Sequence, residues 1–267
     1  MTTPLAHDRY CDEILAQAEK FRALPAAGAD PGARVPTCPD WTLEDLVRHV
    51  GRALRWTEHI VRTRATAEIP MDQVPGVEGP EERGDADALA RWLEESASVV
   101  AGALRAAGPD AYAWSWAGRH DAGFWARRMC HELVVHGADA ALAAGRAPEP
   151  VAPDVAADAL EEWLEIVRFV QRALPDGPAK DLRAPGRTIH LHATDTDPAL
   201  NAEWVIELPD AGITWRRGHE KATVALRGPL TSVLLVLYRR LPLDTPEVQV
   251  LGDRAVLEFW LEKASFG

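Results

Sequence analysis

The sequence predicts an α+β protein, with a helical bundle over residues 1–150 and a smaller α+β domain over 151–267. Three observations carry this. Apolar residues recur at helical spacing in four long segments before Gly145. A proline-rich stretch, RAPEPVAPD, follows directly. After one more helical segment the apolar period drops from 3.6 to 2. The 267 residues are enough for two ordinary domains, each with its own core.

The elements follow in order. Residues 6–24 form an amphipathic helical run. VPTCPDW reads as a turn-rich connector, with the chain turning at Pro39. Thr42 and Asp45 then resemble a capping box, with Asp in place of the usual Glu or Gln, and open a helix over 43–64. Residues 66–84 are rich in Pro, Gly and acids and read as a long surface loop. A third helix spans about 86–107, and the tryptophan-rich YAWSWAGRH leads into a fourth over about 121–144. Beyond the linker comes helix 154–174. RTIHLHAT, EWVIELP and KATVALRG alternate as strands do, with DAGITWRRGHE between the last two. PLTSVLLVLYRRL reads as a short helix, EVQVLG as a strand and DRAVLEFWLEKA as a closing helix.

Composition narrows the function classes. The net charge of −12 argues against a general nucleic-acid or anionic-membrane binder, so neither is expected as a partner. No run of residues approaches a membrane span, and MTTPLAHDRYCDEILAQ lacks the apolar core of a secretory leader. Cys11, Cys38 and Cys130 make no paired framework, which points to a reducing, cytoplasmic setting.

The fourth helix holds the chemistry. It is apolar nearly all round, yet it carries Glu132 and His136. At about 100° per residue, His136 lies about 40° from Glu132 and Asp139 about 20° to the other side. Burying an unpaired carboxylate costs several kcal/mol, so something must compensate. Glu132 can pair with His136 or Arg128, or Glu132 and His136 can reach one metal ion together. On the second helix, His49 lies at the edge of the apolar face beside Ala53, Trp56 and Ile60, whereas His59 falls among arginines. His49 is either a satisfied core histidine or a third ligand. As ligands, His49, Glu132 and His136 form a two-histidine, one-carboxylate set. That set suits a divalent metal, zinc first, with a position left open; nickel and iron fit it too. His190 and His192 share one face of a strand, a geometry open to a second metal pair or to a solvated polar face.

VPTCPDWTLEDLVRHVG and FWARRMCHELVVHGADAALAAG closely resemble the mycothiol-dependent maleylpyruvate isomerase family, and HLHATDTD, EWVIEL, VALRGPLTSVLLVLYRRLP and VQVLGD resemble its C-terminal domain. The resemblance implies a DinB-like four-helix bundle followed by an α+β domain, with the family's zinc ligands at His49, Glu132 and His136. It also implies a catalytic arginine in a pattern of the form Leu-Trp-Gly-Arg. Here that stretch is Leu237, Tyr238, Arg239, Arg240, so Arg240 is the match and Arg239 departs from the pattern. Both can equally end a helix, where cations suit the dipole.

The implied activity is thiol-assisted cis–trans isomerisation of a small dicarboxylate, with mycothiol or a similar low-molecular-weight thiol as cosubstrate. Asp139 either orients a ligand or binds a polar part of the thiol; pairing with Arg128 or capping are its other readings. Trp114, Trp116 and His120 either line the pocket or pack in the core. The same site would serve a mycothiol S-transferase acting on electrophiles, and a non-catalytic small-molecule binding protein is the further alternative. The sequence leaves the oligomeric state open.

Overall fold

The computed structural model describes residues 4–25, 27–174 and 176–264. The chain divides into two compact units, Leu5–Glu149 and a second from Pro150 onward.

The first unit is built on four helices: α1 (His7–Arg22), α2 (Leu43–Thr63), α3 (Ala86–Ala107) and α4 (Ala122–Ala143). α1 and α2 each pack against both α3 and α4. α4 also meets α3 and the first strand, so it has neighbours on most sides. That is why Phe124, Trp125, Met129, Cys130, Leu133, Val134 and Val135 are all buried although they point in different directions. Each such burial contributes about 1.5–3 kcal/mol for the larger side chains. α2 starts at the expected capping box: the Thr42 hydroxyl accepts from the Asp45 N–H, and the Asp45 carboxylate accepts from the Thr42 N–H.

The segment read as a turn-rich connector is a small hairpin. β1 (Arg34–Val35) pairs antiparallel with β2 (Cys38–Thr42), and the turn falls at Pro36–Thr37 rather than at Pro39. The register shifts between Arg34 and Val35, leaving residues 39–41 bulged. Pro39 sits in that bulge, where its missing N–H leaves no ladder bond unmade. The 66–84 loop is pinned rather than loose. Val74 and Val77 are buried, the Trp56 and Trp92 indole N–H groups donate to the Ile69 and Gly76 carbonyls, and Arg48 donates to the carbonyls of Glu78 and Pro80.

The second unit opens with α5 (Pro153–Ala173). A five-stranded sheet follows from β3 (Thr188–Ala193), β4 (Glu203–Glu207), β5 (Thr214–Arg217), β6 (Val224–Gly228) and β7 (Gln249–Gly252), in the order β5-β4-β3-β6-β7. Only β3 and β6 run parallel. β5 lies inside DAGITWRRGHE, where no clear alternation announced it. α6 (Leu230–Leu237) and α7 (Arg254–Lys263) pack on β3 and β6. Ile189, Leu191, Trp204, Ile206 and Leu226 fill one side of the sheet. Polar links tie α5 to β4 and β5 and to the segments that lead into β3 and β5. Glu161 accepts from Arg217 and from the Trp204 indole, and the Gln171 amide bridges the Leu182 carbonyl and the Ile213 N–H. Among the described residues, no helix is long and apolar enough to cross a membrane.

Candidate metal centre

α2 and α4 bring His49, Glu132 and His136 together. The Nε2 atoms of both histidines lie 3.2 Å from Glu132 Oε1, and one donor atom from each residue lies within 4.8 Å of the others. In a tetrahedral site with metal–ligand bonds of about 2.0–2.1 Å, neighbouring donors stand ~3.3 Å apart. The two 3.2 Å edges match that spacing, so the residues present fit a divalent ion. The other oxygen of Glu132 is held by Arg128, whose Nη2 donates to Oε2 at 2.7 Å. The carboxylate thus has one oxygen fixed by a cation and one turned to the histidines.

Burial alone would push the Glu132 carboxyl up, but His136 and Arg128 outweigh it and hold it well below the usual carboxylate range. Burial likewise disfavours the charged form of His136, yet Glu132 and Asp139 push it up to about 9. The three residues differ in exposure. The His49 side chain is 40% exposed, against 19% for Glu132 and 11% for His136, so the cluster opens on the His49 side.

Asp139 is fully buried. Its Oδ2 lies 2.8 Å from His136 Nδ1, and its Oδ1 accepts from the Thr37 hydroxyl at 2.5 Å. With Asp139 behind Nδ1, Nε2 is the His136 atom turned towards Glu132, and a carboxylate behind the far nitrogen is common for metal-bound histidines. Both oxygens are engaged inside the protein, so Asp139 offers no surface to a thiol.

Trp41, on β2, lies against His49 with ring centroids 4.8 Å apart. Thr37 and Trp41 therefore belong to the centre although both come from the hairpin. Neither carried a chemical signal of its own. The only cue was that their segment, VPTCPDWTLEDLVRHVG, adjoins His49 in sequence. His131 points away and is fully buried beside Tyr10. In the loop before α4, Trp116 and His120 are exposed and Trp114 is half-buried; the Trp114 carbonyl accepts from the Trp125 indole. Arg239 and Arg240 lie in the second unit, just past α6. Arg239 is exposed, and Arg240 is half-buried with Nη1 on the Tyr238 carbonyl at 2.8 Å.

A helical bundle with a two-histidine, one-carboxylate cluster, followed by a mixed-sheet unit, defines a two-part α+β protein with a candidate metal centre in its first half. Comparison with known families is more specific. Residues 11–141 match the mycothiol maleylpyruvate isomerase N-terminal domain, and residues 154–259 match the C-terminal domain of the same proteins. The chain belongs to the mycothiol-dependent maleylpyruvate isomerase family. Its fold is that of a solved mycothiol-dependent maleylpyruvate isomerase, with TM-score 0.54 at 18% identity, covering 93% of this chain and 95% of that one. A point mutant of such an isomerase gives TM-score 0.53 at 19% identity over the same shares. No sequence among curated proteins matches significantly.

Proposed function

We propose that this protein is a metal- and thiol-dependent enzyme that isomerises a small conjugated dicarboxylate, with His49, Glu132 and His136 as the metal ligands. The observation that carries the reading is the convergence of these three side chains, backed by Asp139 and Arg128, on the bundle of a family whose solved members are named as mycothiol-dependent isomerases. A divalent ion held there, zinc first, supplies the positive charge that keeps a thiol in its thiolate form near neutral pH.

The chain's own residues have separable tasks. His49 Nε2, His136 Nε2 and Glu132 Oε1 are the donors. Arg128 fixes the rotamer of Glu132 by holding its second oxygen. Asp139 accepts a hydrogen bond from His136 Nδ1–H, which keeps that proton on Nδ1 and leaves Nε2 as the donor to an ion, and the Thr37 hydroxyl keeps Asp139 in place. Asp139 is thus a positioning residue in this reading, not a cofactor contact. Trp41 walls one side of His49. Mycothiol, or a thiol like it, is the cosubstrate. Reversible addition of its sulfur to the conjugated double bond moves the π electrons onto the neighbouring carbonyl and leaves a single bond free to rotate. Expulsion of the sulfur restores the double bond in the trans form, with no net change in atoms or electrons. Arg240 is proposed as the catalytic cation for the charge that develops on that carbonyl.

Elemental analysis of the full chain, beside its His49→Ala, Glu132→Ala and His136→Ala variants, tests the centre. A bound ion lost in each variant is expected; equal metal content in all four proteins sinks the assignment. Asp139→Asn should weaken metal binding about 10–100-fold while the fold survives. Product analysis with thiol and a cis-configured conjugated diacid then separates the chemistries. A trans product with free thiol recovered supports isomerisation, and a stable thioether makes the protein an S-transferase.

A further inference from the structure

The second unit carries another cluster, which the isomerase reading does not use. His190 and His192 point to the same face of β3. Glu203 on β4 is the cross-strand partner of His192. The Gly218 N–H donates to the Glu203 carbonyl at 3.1 Å and so brings His219, just past β5, over the same face. Three ring nitrogens converge on one carboxylate oxygen. His190 Nε2, His192 Nδ1 and His219 Nδ1 lie 2.9, 3.0 and 2.7 Å from Glu203 Oε2. The three rings form a near-equilateral triangle, with centroids 5.3–5.5 Å apart.

Hydrogen bonding accounts for this poorly. A carboxylate oxygen offers two lone pairs, and three imidazole nitrogens crowd it. Each neutral imidazole also has a lone pair of its own to place. Three nitrogens and a carboxylate oxygen, all within 4.8 Å of one another, are the donor set of a tetrahedral ion. His190 is only 5% exposed, so the cluster has a floor inside the domain, while the 72% exposed His219 gives an ion a way in.

We infer that His190, His192, Glu203 and His219 form a second metal site, taking a first-row transition dication such as zinc. Four protein donors complete a tetrahedral shell, so the site is structural: a clasp tying β3, β4 and the segment after β5. It is independent of the bundle centre, and either can exist without the other.

The test uses the full chain, stripped with chelator, reloaded with zinc, desalted and analysed for metal per chain. The wild type is expected to hold one more ion than either His219→Ala or Glu203→Gln. His219 is largely exposed, so its replacement leaves the fold intact, which circular dichroism checks. A His49→Ala/His136→Ala double variant should keep one ion, and adding His219→Ala should remove it. Cobalt in that double variant should give the intense visible bands of a tetrahedral site, absent once His219 is replaced. Equal metal content in wild type, His219→Ala and Glu203→Gln would overturn the inference. If the wild type holds a single ion that His219→Ala removes, this site stands and the bundle assignment fails instead.

Discussion

Glu132 shows most plainly how single residues are constrained here. A carboxylate inside an apolar helix is tolerated because one oxygen meets Arg128 and the other faces two imidazoles. Leaving either oxygen unmatched would cost several kcal/mol. Arg239 is a second constrained residue. Its φ of 60° is left-handed, at the position just past a helix end where glycine is favoured. The conformation costs an arginine roughly 1 kcal/mol. Arg239→Gly should therefore raise stability by about that much, read as a higher denaturant midpoint at unchanged slope, with turnover retained. Arg240→Ala should instead lower kcat/KM about 10²–10³-fold without changing metal content. Reversed outcomes would make Arg239 the catalytic cation.

At the scale of elements, the entry to α2 and its contact with α3 matter most. The Thr42 hydroxyl and N–H, with Arg83 adding to them, hold the Asp45 carboxyl down at about 2. A depressed carboxyl stabilises the fold above its unfolded value of about 3.9, and that contribution fades as pH falls towards 2. Asp45→Asn should thus lose less stability than wild type between pH 4 and pH 2, measured by denaturant unfolding at each pH. Equal losses would mean the cap is not ionically supported. Further along α2, a Cβ on Gly51 would stand 2.2 Å from the Trp92 ring. Trp92 cannot easily retreat, because it is buried and its indole N–H donates to the Gly76 carbonyl at 3.1 Å. Gly51→Ala should cost about 1–3 kcal/mol, despite the better helix propensity of alanine. A thermal midpoint no lower than that of wild type would show that the two helices slide apart without penalty.

For the whole molecule, the division near residue 150 has a direct consequence. The unit Leu5–Glu149 contains all of the proposed bundle ligands and a core of its own. A fragment of residues 5–149 should melt cooperatively as a helical protein and bind the ion that His136→Ala abolishes; a non-cooperative melt would show that the bundle depends on the rest of the chain. The four bundle helices and most strands were legible from periodicity, because helical and strand repeats arise from steric preferences between residues close in the chain. The pairing of Glu132 with His136 was legible for the same reason, since one turn of helix separates them. β5 and the hairpin were not legible: a short, irregular strand is defined by its partner, not by its own alternation. Nor were Thr37 behind Asp139, 102 positions away, or His219 beside Glu203, 16 positions away. By itself the sequence determined which residues share a face of a helix or strand. Only tertiary packing decided which faces meet, because contacts between distant segments depend on how whole elements fit together, and no local preference encodes that.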